Sequence, residues 1–342
     1  MINVLYIGNK LHSSKHNISY ISVLGPLLEA EGLKMYYASE YHNKIKRLVH
    51  MVKSIVSLRS KIDLVLIDTY STQNFYYALI TSQMCRFFNI PYVPILHGGN
   101  LDLRLRHSSG MSKKIFRNAK VNVAPSNYMK QVFNSSGYSN VLYIPNVLEL
   151  QKYQLTSKKF DYPRVLWVRS FAEIYNPKLA ILTLEKLKAI YPNAELCMIG
   201  PDSDGSLSEI QRLSQELGVQ VKITGKLSKT EWMEMAKTYN VFINTSNFDN
   251  MPVSVIEAMA LGLPIISTEV GGMSSLIDHN TDGILVPKND PIAMSKAIQE
   301  TFENVNKTVN RIKNARHKAE QFDWVKVRIK WLDVLKINVA SN

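Results

Sequence analysis

Cysteine is scarce in this sequence: 342 residues include only Cys85 and Cys197, which lie far apart beside apolar neighbours. This spacing suits neither a zinc site nor a disulfide framework, so we predict two buried free thiols in a reducing compartment. Long apolar runs are also missing. No stretch approaches the ~20 residues that span a bilayer, so we expect no transmembrane helix. Because no charged segment precedes the first short apolar stretch, we expect no secretory signal either.

Acidic residues are few in the first half of the chain alone. Residues 1–160 hold 20 lysines and arginines against 7 aspartates and glutamates, whereas residues 161–342 hold 21 of each class. The net charge of +13 therefore comes from the first half. A charge of this size argues for an anionic partner, such as a membrane surface, a nucleic acid or an acidic substrate. Zinc-ligand spacing, a helix-turn-helix pattern and clustered aromatic motifs are all missing, so we expect no nucleic-acid partner.

Strand-length apolar runs alternate with helix-length segments along the whole chain. Runs such as Val4–Ile7, Leu64–Ile67 and Tyr92–Leu96 are rich in Val, Ile and Leu and end at Gly, Asp or His. The same alternation begins again at Arg164–Val168. Continuous apolar strands between helices predict α/β structure, with parallel sheets covered by helices on both faces.

The interruption of this pattern predicts where one domain ends. The stretch Tyr153–Pro163 has no periodic apolar face, so we place the first domain at residues 1–158 and the second at residues 159–322. An amphipathic helix over residues 323–342 is expected to pack back onto the first domain. In open parallel sheets, ligands bind beyond the carboxyl ends of the strands, where the strand order reverses. Functional residues are therefore sought just after the strands.

The most specific motif occupies residues 242–266. A strand runs into a polar loop, a helix opens near Pro252 and ends at Gly262, and a strand led by proline follows. Proline near the start and glycine past the end of a helix fit this placement. The free backbone amides of Val253 and Ser254 at the helix start would suit an anion such as a diphosphate.

Two carboxylates flank the start of this helix, Asp249 in the loop and Glu257 eight residues later. An acidic residue, seven others and then Glu-Ala-Met-Ala closely resemble the signature of family 4 glycosyltransferases, retaining nucleotide-sugar enzymes of the GT-B fold. The resemblance implies two Rossmann-like domains facing across a cleft. It implies that Glu257 holds the ribose hydroxyls of the nucleotide. It also implies that Asp249, with the backbone of Asn250, Met251 and Pro252, contacts the hydroxyls of the donor sugar.

A second candidate site, with basic side chains, follows the strand that ends at Val168. Arg169 comes directly after the strand, and Asn176 and Pro177 suit the start of a helix that carries Lys178. Cations beside a helix N-terminus favour a diphosphate. The resemblance implies that Arg169 and Lys178 neutralise the leaving nucleoside diphosphate, so we expect no metal and no cofactor besides the nucleotide-sugar co-substrate.

Weaker resemblances occur at other strand ends. His97 follows a buried strand and precedes two glycines. The resemblance implies that His97 orients groups at the anomeric centre of the sugar and binds no metal. Gly8 and Gly200 also end strands and are assigned to the donor site, whereas Lys15 and His16 in the first loop are assigned to the acceptor side.

Residues 42–61 combine apolar side chains at helical spacing with surrounding basic ones. This pattern suits a helix that lies on an anionic membrane surface, with Lys46, Arg47 and Lys53 as candidate contacts. A helix that faces the core and exposes a solvated basic face is the open alternative.

These features predict a retaining, metal-independent glycosyltransferase. It would move a sugar from a UDP- or GDP-linked donor in the second domain to a hydroxyl of a glycan or lipid-linked acceptor in the first. We expect a role in bacterial cell-surface glycan synthesis, in the cytoplasm and peripherally on the inner face of the membrane. A nucleotide-sugar epimerase of the same architecture and a non-catalytic nucleotide-sugar-binding scaffold are the alternatives.

Overall fold

A computed structural model describes residues 2–10, 19–97 and 100–336 of the chain. The chain divides into two compact units. One comprises the residues up to Val147 together with the chain from Trp324 onward, and the other is Leu148–Asp323.

The boundary between the units lies at residue 147 rather than at residue 158, where the sequence pattern placed it. Leu148 and Tyr153 are buried in the core of the second unit, at 2% and 3% exposure. The ammonium group of Lys158 donates to the carbonyl oxygen of Ala236 in the same unit. Residues 148–158 have no periodic apolar face, but these individual contacts attach them to the second unit.

The first unit is built on a parallel sheet of six strands in the order β2-β1-β3-β4-β5-β6. Its strands are β1 (Asn3–Ile7), β2 (Lys34–Ala38), β3 (Leu64–Thr69), β4 (Tyr92–Leu96), β5 (Asn122–Ala124) and β6 (Val141–Tyr143). Its helices before the boundary are α1 (Ile21–Ala30), α2 (Lys44–Leu58), α3 (Asn74–Phe87), α4 (Leu101–His107), α5 (Ser109–Phe116) and α6 (Asn127–Ser135).

The second unit has its own parallel sheet of six strands, in the order β12-β11-β10-β7-β8-β9. Its strands are β7 (Arg164–Val168), β8 (Glu195–Ile199), β9 (Lys222–Gly225), β10 (Val241–Asn244), β11 (Ile265–Thr268) and β12 (Ile284–Val286). Its helices are α7 (Pro177–Lys188), α8 (Ser206–Glu216), α9 (Lys229–Ala236), α10 (Val253–Ala260), α11 (Met273–Leu276), α12 (Pro291–Glu303) and α13 (Val305–Ala319). A last helix, α14 (Trp324–Leu335), returns to the first unit and buries Trp331 in its core.

Both faces of each sheet are covered by helices, as the apolar strands predict. Alternate residues of β3 enter two separate apolar clusters, Leu64 and Leu66 in one and Val65 and Ile67 in the other. In the second unit, Leu166 of β7 likewise lies in a different cluster from its neighbours. The two doubly wound domains of the predicted α/β fold are thus confirmed.

Strand order reverses between β1 and β3 in the first unit and between β7 and β10 in the second. The carboxyl ends of these strand pairs are where such sheets bind ligands. The predicted free thiols are confirmed, since Cys85 and Cys197 are both buried and unpaired. In the ranges described, no helix is long and apolar enough to cross a membrane.

Candidate functional site

Two predicted site residues meet at the strand reversal of the second unit. Arg169 follows β7, Asp249 lies in the loop after β10, and the guanidinium Nη2 forms an ion pair with the carboxylate Oδ2. The Tyr175 ring lies 4.6 Å from the guanidinium carbon of Arg169. Burial lowers the pKa of Arg169, but an arginine keeps its charge because its pKa starts so high. Nε of Arg169 is buried and has no hydrogen-bond partner among the described residues.

The Asp249 carboxylate is held by the loop around it. The Ser246 hydroxyl donates to Oδ2 at 3.2 Å, and the Asn250 amide donates to Oδ1 at 3.0 Å. The amide of Gly272 donates to the backbone carbonyl of Asp249 at 2.9 Å. Asp249 therefore has a defined position, and Ser246 is a supporting residue that the sequence motif did not identify.

The loops after β7 and β10 are joined by hydrogen bonds. Trp167 of β7 donates through Nε1 to the Thr245 hydroxyl at 2.8 Å, and that hydroxyl donates to the Tyr175 carbonyl at 2.8 Å. The Asn247 amide donates to the Ile174 carbonyl at 2.8 Å. The two loops that carry Arg169 and Asp249 therefore form one preorganised structure.

Gly200 supports this arrangement from the end of β8. Its amide donates to the Gly225 carbonyl at 2.9 Å. A Cβ atom at residue 200 would collide with the backbone carbonyl oxygen of Arg169, so only glycine permits this close approach. The structure thus gives Gly200 a role in positioning Arg169, while its predicted contact with the donor stays a prediction.

Helix α10 begins without a side-chain cap. Pro252 is its N-cap residue and offers no acceptor, whereas α6, α7 and α12 are capped by the side chains of Ser126, Asn176 and Asp290. The first amides of a helix have no carbonyl partner within it. The Ser254 hydroxyl at this helix start is buried and has no partner in the described parts of the chain. Val253 and Ser254 therefore present the open helix start that the sequence predicts.

Glu257 lies one turn into α10 and is only 5% exposed. Its Oε1 accepts hydrogen bonds from the Tyr153 hydroxyl at 2.7 Å and the Lys229 ammonium at 2.8 Å. Burial, and then the Glu257 charge, raise the pKa of Tyr153, so this hydroxyl remains a donor. Tyr153 and Lys229 belong to no recognisable motif, which explains why the sequence did not single them out.

Lys178 is exposed at the second position of α7 and forms no ion pair within the described residues. The start of α7 is also less open than predicted. Asn176 accepts the Leu179 amide through its side chain at 3.2 Å, and its own amide group donates to Asn247 and Asn289. Of the two predicted anion-binding helix starts, α10 is the uncapped one.

The predicted site residues His97, Gly8, Lys15 and His16 belong to the first unit. Nε2 of His97, just after β4, lies 2.8 Å from Oδ1 of Asp68 at the end of β3. Gly8 follows β1 and packs against the Asp68 carboxylate. Asp68 was not predicted, although an acidic residue that ends a buried strand is a usable signal. Lys15 and His16 lie outside the described residues.

The predicted basic face of α2 needs one correction. Lys46 and Lys53 are exposed, but Arg47 is only 7% exposed and does not belong to that face. Its guanidinium donates to the carbonyls of Tyr41 and His42 and to Oδ1 of Asn9. The reason is geometric: the buried residues of α2 follow helical spacing from position 47. They are Arg47, Met51 and Ile55.

No three His, Cys, Asp or Glu side chains converge as a possible metal site within residues 2–10, 19–97 and 100–336.

A family model described as "Glycosyl transferases group 1" matches residues 153–318, which include the whole Arg169–Asp249–Glu257 arrangement. Residues 153–318 thus resemble a glycosyltransferase group 1 domain. The D-inositol 3-phosphate glycosyltransferase of Corynebacterium kroppenstedtii is 22% identical over 167 residues, 47% of this chain and 37% of that protein. The amylovoran biosynthesis glycosyltransferase AmsK of Erwinia amylovora is 30% identical over 106 residues, 29% of this chain and 26% of AmsK. The matches thus span about a third of these relatives.

The fold of this chain matches that of a solved structure. HepE from Anabaena, solved in complex with UDP-glucose, superposes with a TM-score of 0.78, covering 98% of this chain and 99% of HepE at 18% sequence identity. This likeness establishes the GT-B fold, with two Rossmann-like domains.

Proposed function

We propose that this protein is a retaining glycosyltransferase that moves a sugar from a UDP- or GDP-linked donor to a hydroxyl acceptor. One observation carries the proposal. Within one unit, a fixed arginine–aspartate pair lies at a strand reversal beside an uncapped helix start, with a buried glutamate one turn further along. The group 1 domain covers these same residues.

The uncapped start of α10 and the Arg169 guanidinium supply the positive charge for the diphosphate. Free amides and the helix dipole favour an anion at such a start. Nη2 of Arg169 donates to Asp249, and the other N–H groups of the guanidinium can donate to phosphate oxygens. Lys178 is exposed, and its long side chain adds a mobile charge. These groups would stabilise the leaving nucleoside diphosphate, so the transfer would need no metal.

Glu257 is proposed to hold the ribose. A carboxylate can accept several hydrogen bonds, and Tyr153 and Lys229 both bind Oε1. They fix the carboxylate and leave Oε2 for the ribose hydroxyls. Asp249, with the backbone of Asn250, would contact the sugar hydroxyls. Departure of the diphosphate and attack by the acceptor hydroxyl on the same face would retain the anomeric configuration, with the departing phosphate as the base.

The first unit is proposed to bind the acceptor and the inner face of the cytoplasmic membrane. Helix α2 exposes Ile45, Val49 and Val56, at 75%, 46% and 36%, in one helical stripe. Lys46 and Lys53 are exposed on the same helix. Apolar side chains beside lysines are typical of helices that lie in the interface of anionic membranes.

The neighbouring helix α3, which packs against α2, adds a second stripe. It exposes Tyr76, Ile80 and Phe87, the last at 76%. Helix α5, which packs against α3, exposes Lys113 and Lys114. A lipid-linked or glycan acceptor at this membrane suits synthesis of a bacterial cell-surface glycan, and the similarity to a glycosyltransferase of amylovoran biosynthesis supports a role in polysaccharide synthesis.

The test is a panel of UDP-, GDP- and ADP-sugars, measured by thermal shift and by product analysis, with and without EDTA. We expect one nucleotide class to stabilise the protein, with slow hydrolysis of its sugar that EDTA does not abolish. The anomeric configuration of the released or transferred sugar tests retention. Conversion of the donor into an epimer would favour the epimerase, and binding without turnover would favour the scaffold. Failure of every nucleotide to bind would refute all three functions.

A further inference from the structure

The guanidinium group of Arg169 is held by a single hydrogen bond. Its Nη2 donates to Oδ2 of Asp249, and the described residues offer the guanidinium no other hydrogen-bond partner. A guanidinium that binds a carboxylate through two parallel hydrogen bonds has a fixed plane, whereas one that is bound through a single nitrogen can turn about that contact. A contact other than the one with Asp249 must therefore fix the orientation of this group.

The ring of Tyr175 covers one face of the same guanidinium. The centroid of the ring lies 4.6 Å from the guanidinium carbon of Arg169. An aromatic ring attracts a cation over its face, and a planar guanidinium packs well on such a surface. The Asp249 carboxylate holds one nitrogen, whereas the ring restricts the plane. Because the contact uses the face of the ring and not the hydroxyl, a phenylalanine at residue 175 would preserve it.

Tyr175 is itself fixed by its surroundings. Its ring packs against the apolar cluster of the second unit that contains Trp167 and Phe171. Its backbone carbonyl accepts the Thr245 hydroxyl at 2.8 Å, and its amide donates to the Ala172 carbonyl at 2.9 Å. A surface that is rigid before a ligand arrives can hold a charged group in place without further ordering when the ligand binds.

The position of Arg169 indicates which phosphate of the donor it would contact. Asp249 is proposed to contact the sugar hydroxyls, and the guanidinium is bound to the Asp249 carboxylate. The anionic group of a nucleotide sugar that lies next to the sugar is the distal phosphate. Negative charge develops on this phosphate as its bond to the sugar breaks, so a cation of fixed orientation stabilises the transition state better than a mobile one.

We propose that Tyr175 is a positioning residue that holds the Arg169 guanidinium in one orientation for the distal phosphate of the nucleotide sugar. The attraction between the ring face and the cation supplies the hold. Tyr175 acts through Arg169 and does not itself bind the substrate. This inference rests on the proposed function, because the phosphate belongs to the donor.

The first experiment compares two variants that remove the same kind of contact from the same unit. Tyr175→Leu removes the ring beside Arg169. Tyr162→Leu is the matched control, because the Tyr162 ring also lies 4.6 Å from a guanidinium carbon, that of Arg164 at the opposite end of β7. Calorimetry with the diphosphate and the monophosphate of the donor's nucleoside, UDP and UMP for a UDP-sugar, separates the distal phosphate from the rest of the nucleotide.

We expect Tyr175→Leu to lower UDP affinity roughly tenfold and to change UMP affinity by less than about twofold. The conservative variant Tyr175→Phe should restore UDP affinity, and Tyr162→Leu should bind both nucleotides like the wild type. A purely structural role would instead weaken UDP and UMP binding alike. Equal losses for the two nucleotides in Tyr175→Leu, or wild-type UDP affinity in that variant, would overturn the inference.

A graded change of the ring keeps the test valid even if Tyr175→Leu does not fold. Phenylalanine analogues with increasing numbers of ring fluorines retain the shape of the ring and withdraw electrons from its face, which weakens its attraction for a cation. UDP affinity should fall step by step along this series at residue 175 and stay constant along the same series at residue 162. A constant UDP affinity along the series at residue 175 would overturn the inference.

NMR spectra of labelled arginine side chains distinguish a failure of this inference from a failure of the proposed function. Exchange between the two terminal nitrogens reports rotation of each guanidinium, and the Arg169 signals are assigned by their loss in Arg169→Lys. Without any nucleotide, we expect slower rotation in the wild type than in Tyr175→Leu. Equal rotation rates in these two proteins would overturn the inference, whereas a wild type that binds no nucleotide would refute the proposed function.

Discussion

At the scale of single residues, each carboxylate of the second unit's site is paired with a cation. Asp249 is bound by Arg169, and Glu257 is bound by Lys229. A buried charge without a partner is costly, so each ion pair offsets part of the cost of burying its carboxylate. Ionised carboxylates are the strong acceptors that sugar and ribose hydroxyls require.

Glu257→Gln should weaken nucleotide binding while the protein stays folded. The amide has the same shape, but a hydrogen bond to a neutral acceptor is weaker than one to a charged group, by about 1–2 kcal/mol, or roughly tenfold in affinity. Isothermal titration with UDP measures the change. The matched control is Glu234→Gln, which changes an exposed carboxylate of the same unit that pairs with Lys237. Equal affinity in Glu257→Gln and Glu234→Gln would contradict the ribose assignment.

Lys158 predicts a pH-dependent stability. Burial, and then the Arg164 charge, lower its pKa to about 8, below the value of about 10.4 for an unfolded lysine. Between these values the unfolded chain binds more protons, so this residue's contribution to stability rises with pH. Urea unfolding gives the free energy of unfolding of the wild type and of Lys158→Met at about pH 7.5 and pH 9.5. We expect the stability of the wild type relative to Lys158→Met to be greater at the higher pH. A constant difference would contradict the lowered pKa.

At the scale of elements, the feature that favours an anion site is the uncapped start of α10. In helices α6, α7 and α12 the side chain of the N-cap residue accepts a hydrogen bond from an amide of the first turn, whereas α10 has no such side-chain cap. A cap stabilises a helix by about 1 kcal/mol, so its absence has a cost in stability. An anionic ligand would recover that energy, which couples ligand binding to the stability of α10.

Pro252→Asp should fill this site from within. Its carboxylate would accept the first amides of α10 and repel a diphosphate, so UDP affinity should fall at least about tenfold, or ~1.4 kcal/mol. Pro252→Ala is the control, because it supplies no acceptor and leaves the amides free. Titration calorimetry of both variants compares them directly. If Pro252→Asp binds UDP as tightly as Pro252→Ala, the diphosphate does not lie at α10.

The exposed stripes of α2 and α3 predict binding to anionic vesicles. Ile45→Ser combined with Phe87→Ser removes the two most exposed apolar side chains of these helices, so cosedimentation with phosphatidylglycerol vesicles should fall at least about fivefold, because each buried apolar side chain contributes about 1.5 kcal/mol or more. Ile292→Ser, at a 53% exposed position of the second unit, is the matched control. Two results would contradict a membrane-binding surface on α2 and α3. One is equal vesicle binding by the double variant and Ile292→Ser, and the other is equally strong binding of the wild type to purely neutral vesicles.

At the scale of the whole molecule, the chain consists of two units with separate cores. Their sheets have different strand orders: the first reverses between its second and third strands, and the second reverses between its two central strands. The excess positive charge belongs to residues 1–160, whereas the match to the glycosyltransferase group 1 family lies in residues 153–318. This separation is consistent with the proposed division between acceptor or membrane binding in the first unit and nucleotide binding in the second.

Hydrogen exchange with and without UDP tests this division. We expect slower exchange around Arg169, in residues 245–252 and in the first turn of α10, since a ligand that binds only the folded unit stabilises it. Strands of the first unit should exchange unchanged. ATP at the same concentration controls for non-specific anion binding. Protection confined to the first unit would contradict the placement of the nucleotide site.

The sequence by itself determined the features that depend on local pattern. Apolar runs and helix signals sufficed to predict two doubly wound domains. Strands that are buried on both faces of a parallel sheet are nearly continuous runs of Val, Ile and Leu, which can be recognised in the sequence. The motif around Asp249 and Glu257 sufficed to predict the start of α10 and its free first amides. Buried free thiols followed from the spacing of two cysteines.

Tertiary structure alone decided which distant residues meet. The pairing of Asp68 with His97, the hydroxyl support of Asp249 by Ser246 and the contacts of Glu257 with Tyr153 and Lys229 all depend on strand order and loop geometry. The same holds for Arg47, which reads as a surface charge in the sequence and is buried because three loop acceptors face it. A one-dimensional pattern records the face of an element but not the neighbour that the face will meet.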